Sequence, residues 1–308
     1  MENTETKKQE DLVENDTKEV EQENKGESSN KKIALIIIAF FIISMALVVI
    51  AIFVYLAKDF DEELEVYKKY KKIGNITLGE DNVVYKVQDK ETNLNYILKE
   101  IKYENDSIKD TIINDVKFMM HLNKNNNSIL FYEYFVEDKT VFIITEEYIG
   151  DLSLYISDAF NYIKNILSQL NNILEHLHQN KMVHNNIKLE NILVIEKNDN
   201  DGYKIKLGNY NKAKLFSDKE IELNEDLEIK PYDGDDDKEY YKIKDLEDIG
   251  KEIYRMKFQE IDESNEEMIK KINMTEEIED NLKDLMINLI SKNLTNWDDY
   301  FHHKYFQN

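Results

Sequence analysis

The sequence predicts an α+β architecture with two lobes, one β-rich and one mainly helical, behind a single transmembrane helix. Three patterns carry that expectation. Residues 33–57 contain no charged side chain and are bounded by Lys31, Lys32 and Lys58. From Tyr67 to about Asp138, short runs rich in Val, Ile, Tyr and Phe alternate with polar turns. From Asp151 onward the apolar residues recur mainly at helical spacing. A block of strands followed by a block of helices is the order of an α+β protein rather than of an alternating α/β one.

Residues 1–32 are acidic and polar and hold too few large apolar side chains to offset the entropy of ordering, so they are expected to form a disordered tail. The uncharged run Ile33–Ala57, 25 residues rich in Ile, Ala, Val and Phe, is longer than the roughly 20 needed to cross a bilayer. A buried core helix seldom stays uncharged over that length, and a cleaved signal sequence does not begin behind an acidic leader. Flanking charge leaves the orientation open. Lys18, Lys25, Lys31 and Lys32 precede the span, and Lys58, Lys68, Lys69, Lys71 and Lys72 follow it. Residues 58–66 form a short juxtamembrane linker without the Gly, Ser or Pro of a flexible spacer, which places the following domain close to the membrane.

Composition narrows the function classes. The chain carries 63 acidic and 40 basic residues, a formal charge of −23 spread over the whole soluble part, and nucleic acid would be repelled. With no cysteine, disulfides, thiolate zinc sites and cysteine nucleophiles are excluded. Arginine occurs only at Arg255 and proline only at Pro231, while Asn, Lys, Ile and Asp abound, a bias that AT-rich coding explains.

Within the β-rich lobe, 67–145, strands are predicted at Val83–Gln88, Asn95–Ile101, Ile129–Val136 and Thr140–Thr145. One helix is predicted from Ser107 to Leu122, with Ile112, Ile113, Val116, Met119 and Met120 near helical spacing. A hinge at 146–150 leads to the helical lobe, 151–306, whose one strand-like interruption lies between Met182 and Leu207.

Several motifs then stand in a telling order. Met182-Val-His-Asn-Asn-Ile-Lys-Leu-Glu-Asn-Ile-Leu-Val194 resembles the catalytic loop of protein kinases, H-R-D-L-K-x-x-N, with His184, Lys188 and Asn191 matching. Ile205-Lys-Leu-Gly-Asn-Tyr-Asn-Lys-Ala-Lys214 resembles the strand and D-F-G turn, with Asn209, Tyr210 and Asn211 in its three places. Asn95-Tyr-Ile-Leu-Lys-Glu-Ile101 resembles the strand bearing the phosphate-binding lysine, here Lys99. Asp115 falls where its helical glutamate partner belongs. Ile97 replaces the usual small alanine. Ile73-Gly-Asn-Ile-Thr-Leu-Gly79 keeps Gly74 and Gly79 of the phosphate loop G-x-G-x-x-G but has Ile76 at the second glycine, and Val84 follows three extra residues later. Lys230-Pro231-Tyr232 sits at A-P-E, and Asp245-Leu-Glu-Asp-Ile-Gly-Lys-Glu-Ile-Tyr254 resembles D-x-W-S-x-G-x-x-L-Y. Leu294 to Phe306 resembles the last helix of serine/threonine kinases, with Asn293 in place of its arginine.

The resemblance covers nearly everything from Tyr67 to Phe306 and implies a protein-kinase-like fold over 67–306. It also implies ATP and Mg²⁺ as cofactors, and the substitutions argue against both. In the family the catalytic-loop Asp accepts the substrate proton, the Lys steadies the γ-phosphate, and the Asn and the D-F-G Asp hold metal. Here Asn186 stands for the base and Asn209 for the metal carboxylate, leaving Lys188 and Asn191. An amide cannot take up a proton at physiological pH, and losing a general base costs roughly 10²–10⁴ in rate. Asp115 is one methylene short of glutamate, so its pair with Lys99 is expected to be strained or bridged by water. A β-branched residue at 76 resists positive φ, which makes the loop a poor phosphate cradle. The segment 212–228 has one hydroxyl residue, Ser217, and the catalytic-loop arginine is replaced by Asn185, so activation by phosphorylation lacks its usual parts. Met119, His184 and Tyr210 match the family's internal hydrophobic spine, with Asp245 as its anchor.

The expected function is therefore a membrane-anchored pseudokinase that binds or scaffolds an unidentified protein partner. The alternative is a serine/threonine kinase of atypical activity. His176, His178, His302 and His303 fall inside helical motifs and read as solvated or satisfied rather than metal-binding. The acidic run Asp233–Asp237 lacks the alternating ligands of a calcium loop. Asn75, Asn105, Asn126, Asn273 and Asn293 open N-x-S/T sequons that report topology, and kinship places the domain in the cytosol.

Overall fold

The computed structural model describes residues 35–52, 64–78, 82–198, 200–234, 238–259 and 264–307. The chain divides into two units, Met1–Glu63 and Leu64–Asn308. In the first, helix α1 runs from Leu35 to Ile52, 18 residues with a mean hydropathy of 3.3 and none of them buried. At about 1.5 Å per residue it is about 27 Å long, long and apolar enough to cross a bilayer. The remaining residues of the expected span lie outside the described residues.

The second unit opens with a short helix, α2 (Glu65–Lys69). Leu64 to Val66 fall in the sequence-derived linker, yet Val66 is fully buried with Tyr70, Val87, Leu98, Phe142 and Ile144 on the outer face of the sheet. Strands β1 (Tyr70–Leu78), β2 (Asn82–Asp89), β3 (Asn95–Lys102), β4 (Phe131–Glu137) and β5 (Thr140–Thr145) form one antiparallel sheet in the order β1-β2-β3-β5-β4. Both faces of its centre are covered, so β5 is buried along its whole length rather than alternating. Helix α3 (Asp106–Leu122) packs on the inner face through Ile112, Val116 and Met119, and Asn105 caps it by accepting the Ile108 N–H at 3.0 Å.

Strand β4 begins two residues later than expected. The reason is a competing partner: the Ile129 N–H donates to the Leu207 carbonyl of the helical lobe at 2.9 Å. The Asn123 side chain meanwhile holds the Phe131 backbone from both sides, at 2.7 and 2.8 Å.

After a stretch without regular structure at 146–149, β6 (Gly150–Asp151) pairs with β8 (Ile192–Asn198), which pairs with β9 (Gly202–Leu207). Between them lie α4 (Ile156–Ala159), α5 (Ile163–Gln179) and β7 (Met182–Val183). The sequence leads one to expect a single strand-like interruption of the helical lobe, between Met182 and Leu207, and no strand in the residues between the D-F-G-like turn and α6. Those residues instead form β10 (Lys214–Leu215), paired with β7, and a small hairpin of β11 (Ile221–Glu222) and β12 (Glu228–Ile229). Helices α6 (Lys238–Phe258), α7 (Asn265–Met274), α8 (Asp280–Ile290) and α9 (Trp297–Phe301) complete the lobe.

Its core depends on a close helix crossing. A Cβ added at Gly250 of α6 would lie 2.7 Å from the Leu289 Cβ and 3.3 Å from the Ile290 backbone N of α8. Gly250→Ala is therefore expected to destabilise the domain by about 1–3 kcal/mol through overpacking, although alanine alone would favour the helix by about 1 kcal/mol. A lowered urea midpoint at unchanged slope would report this, and an unchanged or raised midpoint would contradict it.

Candidate functional site

The sheet and α3 form one wall of a cavity of about 330 Å³ and the catalytic-loop region forms the other. Val84, Met119, Ile129, Ile143 and Leu193 supply apolar surface, and Lys99, Asp115, Lys188, Asn191 and Asn209 supply polar groups. Val84 lies directly across from Lys99 in the β2–β3 register, so both belong to the inner face. A wider groove of about 940 Å³ shares Lys99, Asp115 and Asn209 and continues beneath α3 past Ile108 and Lys139.

Lys99 and Asp115 approach directly, Nζ to Oδ2 at 3.6 Å, within ion-pair reach and longer than a hydrogen bond. The shorter side chain is met by a second donor, for the Tyr210 N–H reaches Asp115 Oδ1 at 2.6 Å. Asp115 is buried, and burial pushes its carboxyl above the usual range against the lowering by Lys99 and by the Tyr210 N–H. Next to it, the Asn114 amide lies 3.2–3.3 Å from the carbonyls of Tyr210, Asn211 and Ala213 and can donate to them. Two consecutive α3 residues thus hold the turn that replaces D-F-G.

The centre is a chain of amides. Asn209 Nδ2 donates to Asn191 Oδ1 at 2.8 Å, and Asn191 Nδ2 donates to the Asn186 backbone carbonyl at 2.6 Å. Asn186 Nδ2 reaches Asn211 Oδ1 at 3.4 Å. Asn191 is buried, and the Asn209 Oδ1 atom is buried without a hydrogen-bond partner among the described residues. Asn209 and Asn185 both have positive φ, 63° and 57°, a region asparagine enters more readily than most residues. The Mg²⁺ that the resemblance implies does not fit this centre, because no carboxylate stands at 209 and the Asn191 oxygen already has a donor.

Behind the centre stands a buried stack. Met119 lines the cavity, Tyr210 is fully buried in the same hydrophobic core, and the His184 ring meets Tyr210 edge-on at 5.0 Å. The Tyr210 hydroxyl donates to the Leu207 carbonyl at 3.0 Å and lies 2.9 Å from Ser128 Oγ. Asp245 of α6 accepts the backbone N–H of His184 at 2.8 Å and of Asn185 at 2.6 Å. His184 Nε2 faces the Gly208 carbonyl at 3.1 Å and must carry the proton, while Nδ1 is buried without a partner among the described residues. Burial lowers the His184 imidazole to about 4 and raises the Asp245 carboxyl to about 7.

The chain's single arginine braces the catalytic-loop region. Arg255 reaches Glu190 at 2.7 Å and Glu252 at 3.5 Å, and Glu252 also accepts the Leu189 N–H at 3.0 Å. A planar guanidinium can serve two carboxylates at once, which a lysine does poorly. In the segment after the turn, the Lys214 ammonium sits 3.3 Å from the Tyr232 ring centre and 4.2 Å from that of Tyr241. That segment is held by aromatic faces where the family resemblance would place a phosphate.

The structure thus gathers Val84, Lys99, Asp115, Met119, Lys188, Asn191 and Asn209 on one cavity and sets Asn186, His184, Tyr210 and Asp245 directly behind it. Gly74 is not brought to the cavity. It lies exposed in β1 opposite Lys86, and a Cβ there would meet only ordinary contact at 3.8 Å. Gly79 lies outside the described residues, as does most of the acidic run after Asp233. Among the described residues no group of three or more His, Cys, Asp or Glu side chains is placed to hold a metal. Sequence reasoning missed Asn114, Ser128 and the Arg255 fork. One more asparagine in an Asn-rich chain carries no signal, whereas the rarity of arginine could have marked Arg255.

The opposed shifts of His184 and Asp245 make a pH prediction. The depressed His184 pKa contributes stability that is present above its ordinary value of 6.5 and lost as pH falls through about 4. The raised Asp245 pKa does the reverse over an overlapping window, so in the wild type the two partly cancel. His184→Phe removes only the first contribution. The stability difference between wild type and variant, from urea midpoints, should shrink by up to about 3 kcal/mol on going from pH 6.5 to 4. A difference that stays constant with pH would contradict a neutral buried imidazole.

Comparison with known families adds one result: residues 67–227, more than half of the chain, match the protein kinase domain family. The ordered motifs, the two-lobed fold and this match agree, and the chain belongs to the protein kinase family.

Proposed function

We propose that this chain is a membrane-anchored pseudokinase whose kinase-type domain serves as a protein-binding or scaffolding module in signalling. The observation that carries the reading is the amide chain Asn209–Asn191–Asn186, in which neutral donors stand where phosphoryl transfer needs a base and a metal carboxylate. Helix α1 supports the anchor by its length and apolarity. The Asp115 and Asn114 contacts and the aromatic seat of Lys214 support a domain that keeps one shape without phosphorylation, as a docking module requires.

A second reading, a serine/threonine kinase of atypical activity, draws on the Lys99–Asp115 pair and on Lys188 at the cavity. Phosphate transfer separates the two. The full chain purified in detergent, given γ-labelled ATP, Mg²⁺ and a protein acceptor, is expected to incorporate no label above a protein-free blank. Label transferred by the wild type and abolished by Lys99→Met would establish the second reading instead.

The domain is proposed to face the cytosol. The asparagines of all five sequons in the kinase-type domain are exposed, so passage through a glycosylating lumen would leave its mark there. Treatment of the expressed protein with an endoglycosidase should leave its gel mobility unchanged, and a mobility shift that is lost when these asparagines are replaced would place the domain in the lumen.

A further inference from the structure

We infer that the cleft takes a nucleoside phosphate without a divalent cation, the Asn209 amide occupying the place of the ion. The inference rests on the kinase-type reading of the cleft and specifies what that cleft would bind.

The amide orientations follow from their partners. The Asn186 backbone carbonyl can only accept, so the Asn191 group 2.6 Å from it is the NH₂. The Asn191 carbonyl oxygen then faces Asn209, and the Asn209 group 2.8 Å from it must be an NH₂ in turn. Asn191 is 2% exposed, so its oxygen is committed to that donor. A metal ion needs that oxygen and would meet a partial positive charge in its own position.

Turning the Asn209 amide over would not admit the ion. It would set two carbonyl oxygens against each other and offer neutral ligands only, whereas Mg²⁺ sheds water reluctantly and is held through carboxylates and phosphates. The carboxylates nearby have other partners. Asp115 receives Lys99 and the Tyr210 N–H, Asp151 receives the Ser153 N–H, and Glu190 receives Arg255.

What remains suits an anion with a flat apolar base. Lys99 and Lys188 line the same cavity, and the 3.6 Å contact of Lys99 with Asp115 leaves its ammonium donors for a ligand oxygen. Val84, Met119 and Ile143 offer apolar walls, and a volume of about 330 Å³ lies at the small end for such sites. Two ammonium groups and one amide donor would then offset phosphate charge that elsewhere in the family falls to the metal.

Thermal unfolding of the full chain in detergent tests this. Trp297, the only tryptophan and 3% exposed, gives a fluorescence signal remote from the ligand. ATP with EDTA should raise the midpoint by about 2 °C or more at saturation, ATP with Mg²⁺ by the same amount, and Mg²⁺ alone not at all. A shift that requires Mg²⁺ overturns the inference, and so does the absence of a shift in both ATP arms. Asn209→Asp removes the donor and restores a carboxylate, so this variant should gain a Mg²⁺-dependent rise. A folded variant indifferent to Mg²⁺ would overturn the role given to the amide, and if it fails to fold the wild-type arms still decide. Label transfer bears on the pseudokinase reading alone, and these midpoints bear on metal-free binding alone.

Discussion

Asp115 receives the Tyr210 backbone N–H at 2.6 Å and faces the Lys99 ammonium at 3.6 Å while itself 3% exposed. Through those two contacts one carboxylate joins α3, β3 and the turn at 209–211. A buried charge is costly unless paired and hydrogen-bonded, so the three elements have to stay in register around it. The neighbouring Asn114 amide, within reach of the carbonyl groups of Tyr210, Asn211 and Ala213 in the same segment, closes the arrangement. Apolar packing seats α3 on the sheet, and this small polar cluster ties the chain after Gly208 to it. A glutamate would reach the lysine more easily, but its longer side chain would have to fold back to meet the same backbone N–H.

The asparagines of the centre hold two loops together with neutral groups. The backbone is left-handed at 185 and 209, with φ of 57° and 63°, and asparagine is among the few residues at home there. Asparagine has nearly the shape of aspartate but carries no charge, so positions 186 and 209 bring no negative charge to the centre. The amide also does what a carboxylate cannot, which is to donate. Asn209 uses that ability on Asn191, and the hydrogen bond knits together the two loops that carry them. At the base of the stack the opposite device operates. Burial raises the Asp245 carboxyl to about 7 against the pull of the two backbone N–H groups that converge on it, and burial keeps the His184 imidazole neutral although the Gly208 carbonyl beside one ring nitrogen favours the protonated form.

The apolar run, the strands and the helices of the first lobe were legible because hydrophobic periodicity is local. Thr140–Thr145 is a strand with the bounds expected, and the helix predicted from Ser107 begins one residue earlier, at Asp106, after the Asn105 cap. The start of β4 was not legible, because Ile129 pairs with Leu207, far away in the chain. Nor were strands β10 to β12, each two residues long and without a pattern of its own. The absence of the Gly74 backbone from the cleft was hidden too, since a glycine in a motif looks the same whether it approaches a ligand or only continues a strand.

Chemical identity is local, and by itself the sequence determined which positions could carry charge: it placed amides at 186 and 209, a lysine at 99 and a carboxylate at 115. Only the tertiary structure decided what those groups do to one another, because hydrogen bonds join residues 18 positions apart, as at Asn191 and Asn209, and 95 apart, as at Asp115 and Tyr210. Whether an amide turns its NH₂ or its oxygen toward a neighbour depends on which acceptors the fold brings within about 3 Å, and no run of residues encodes that.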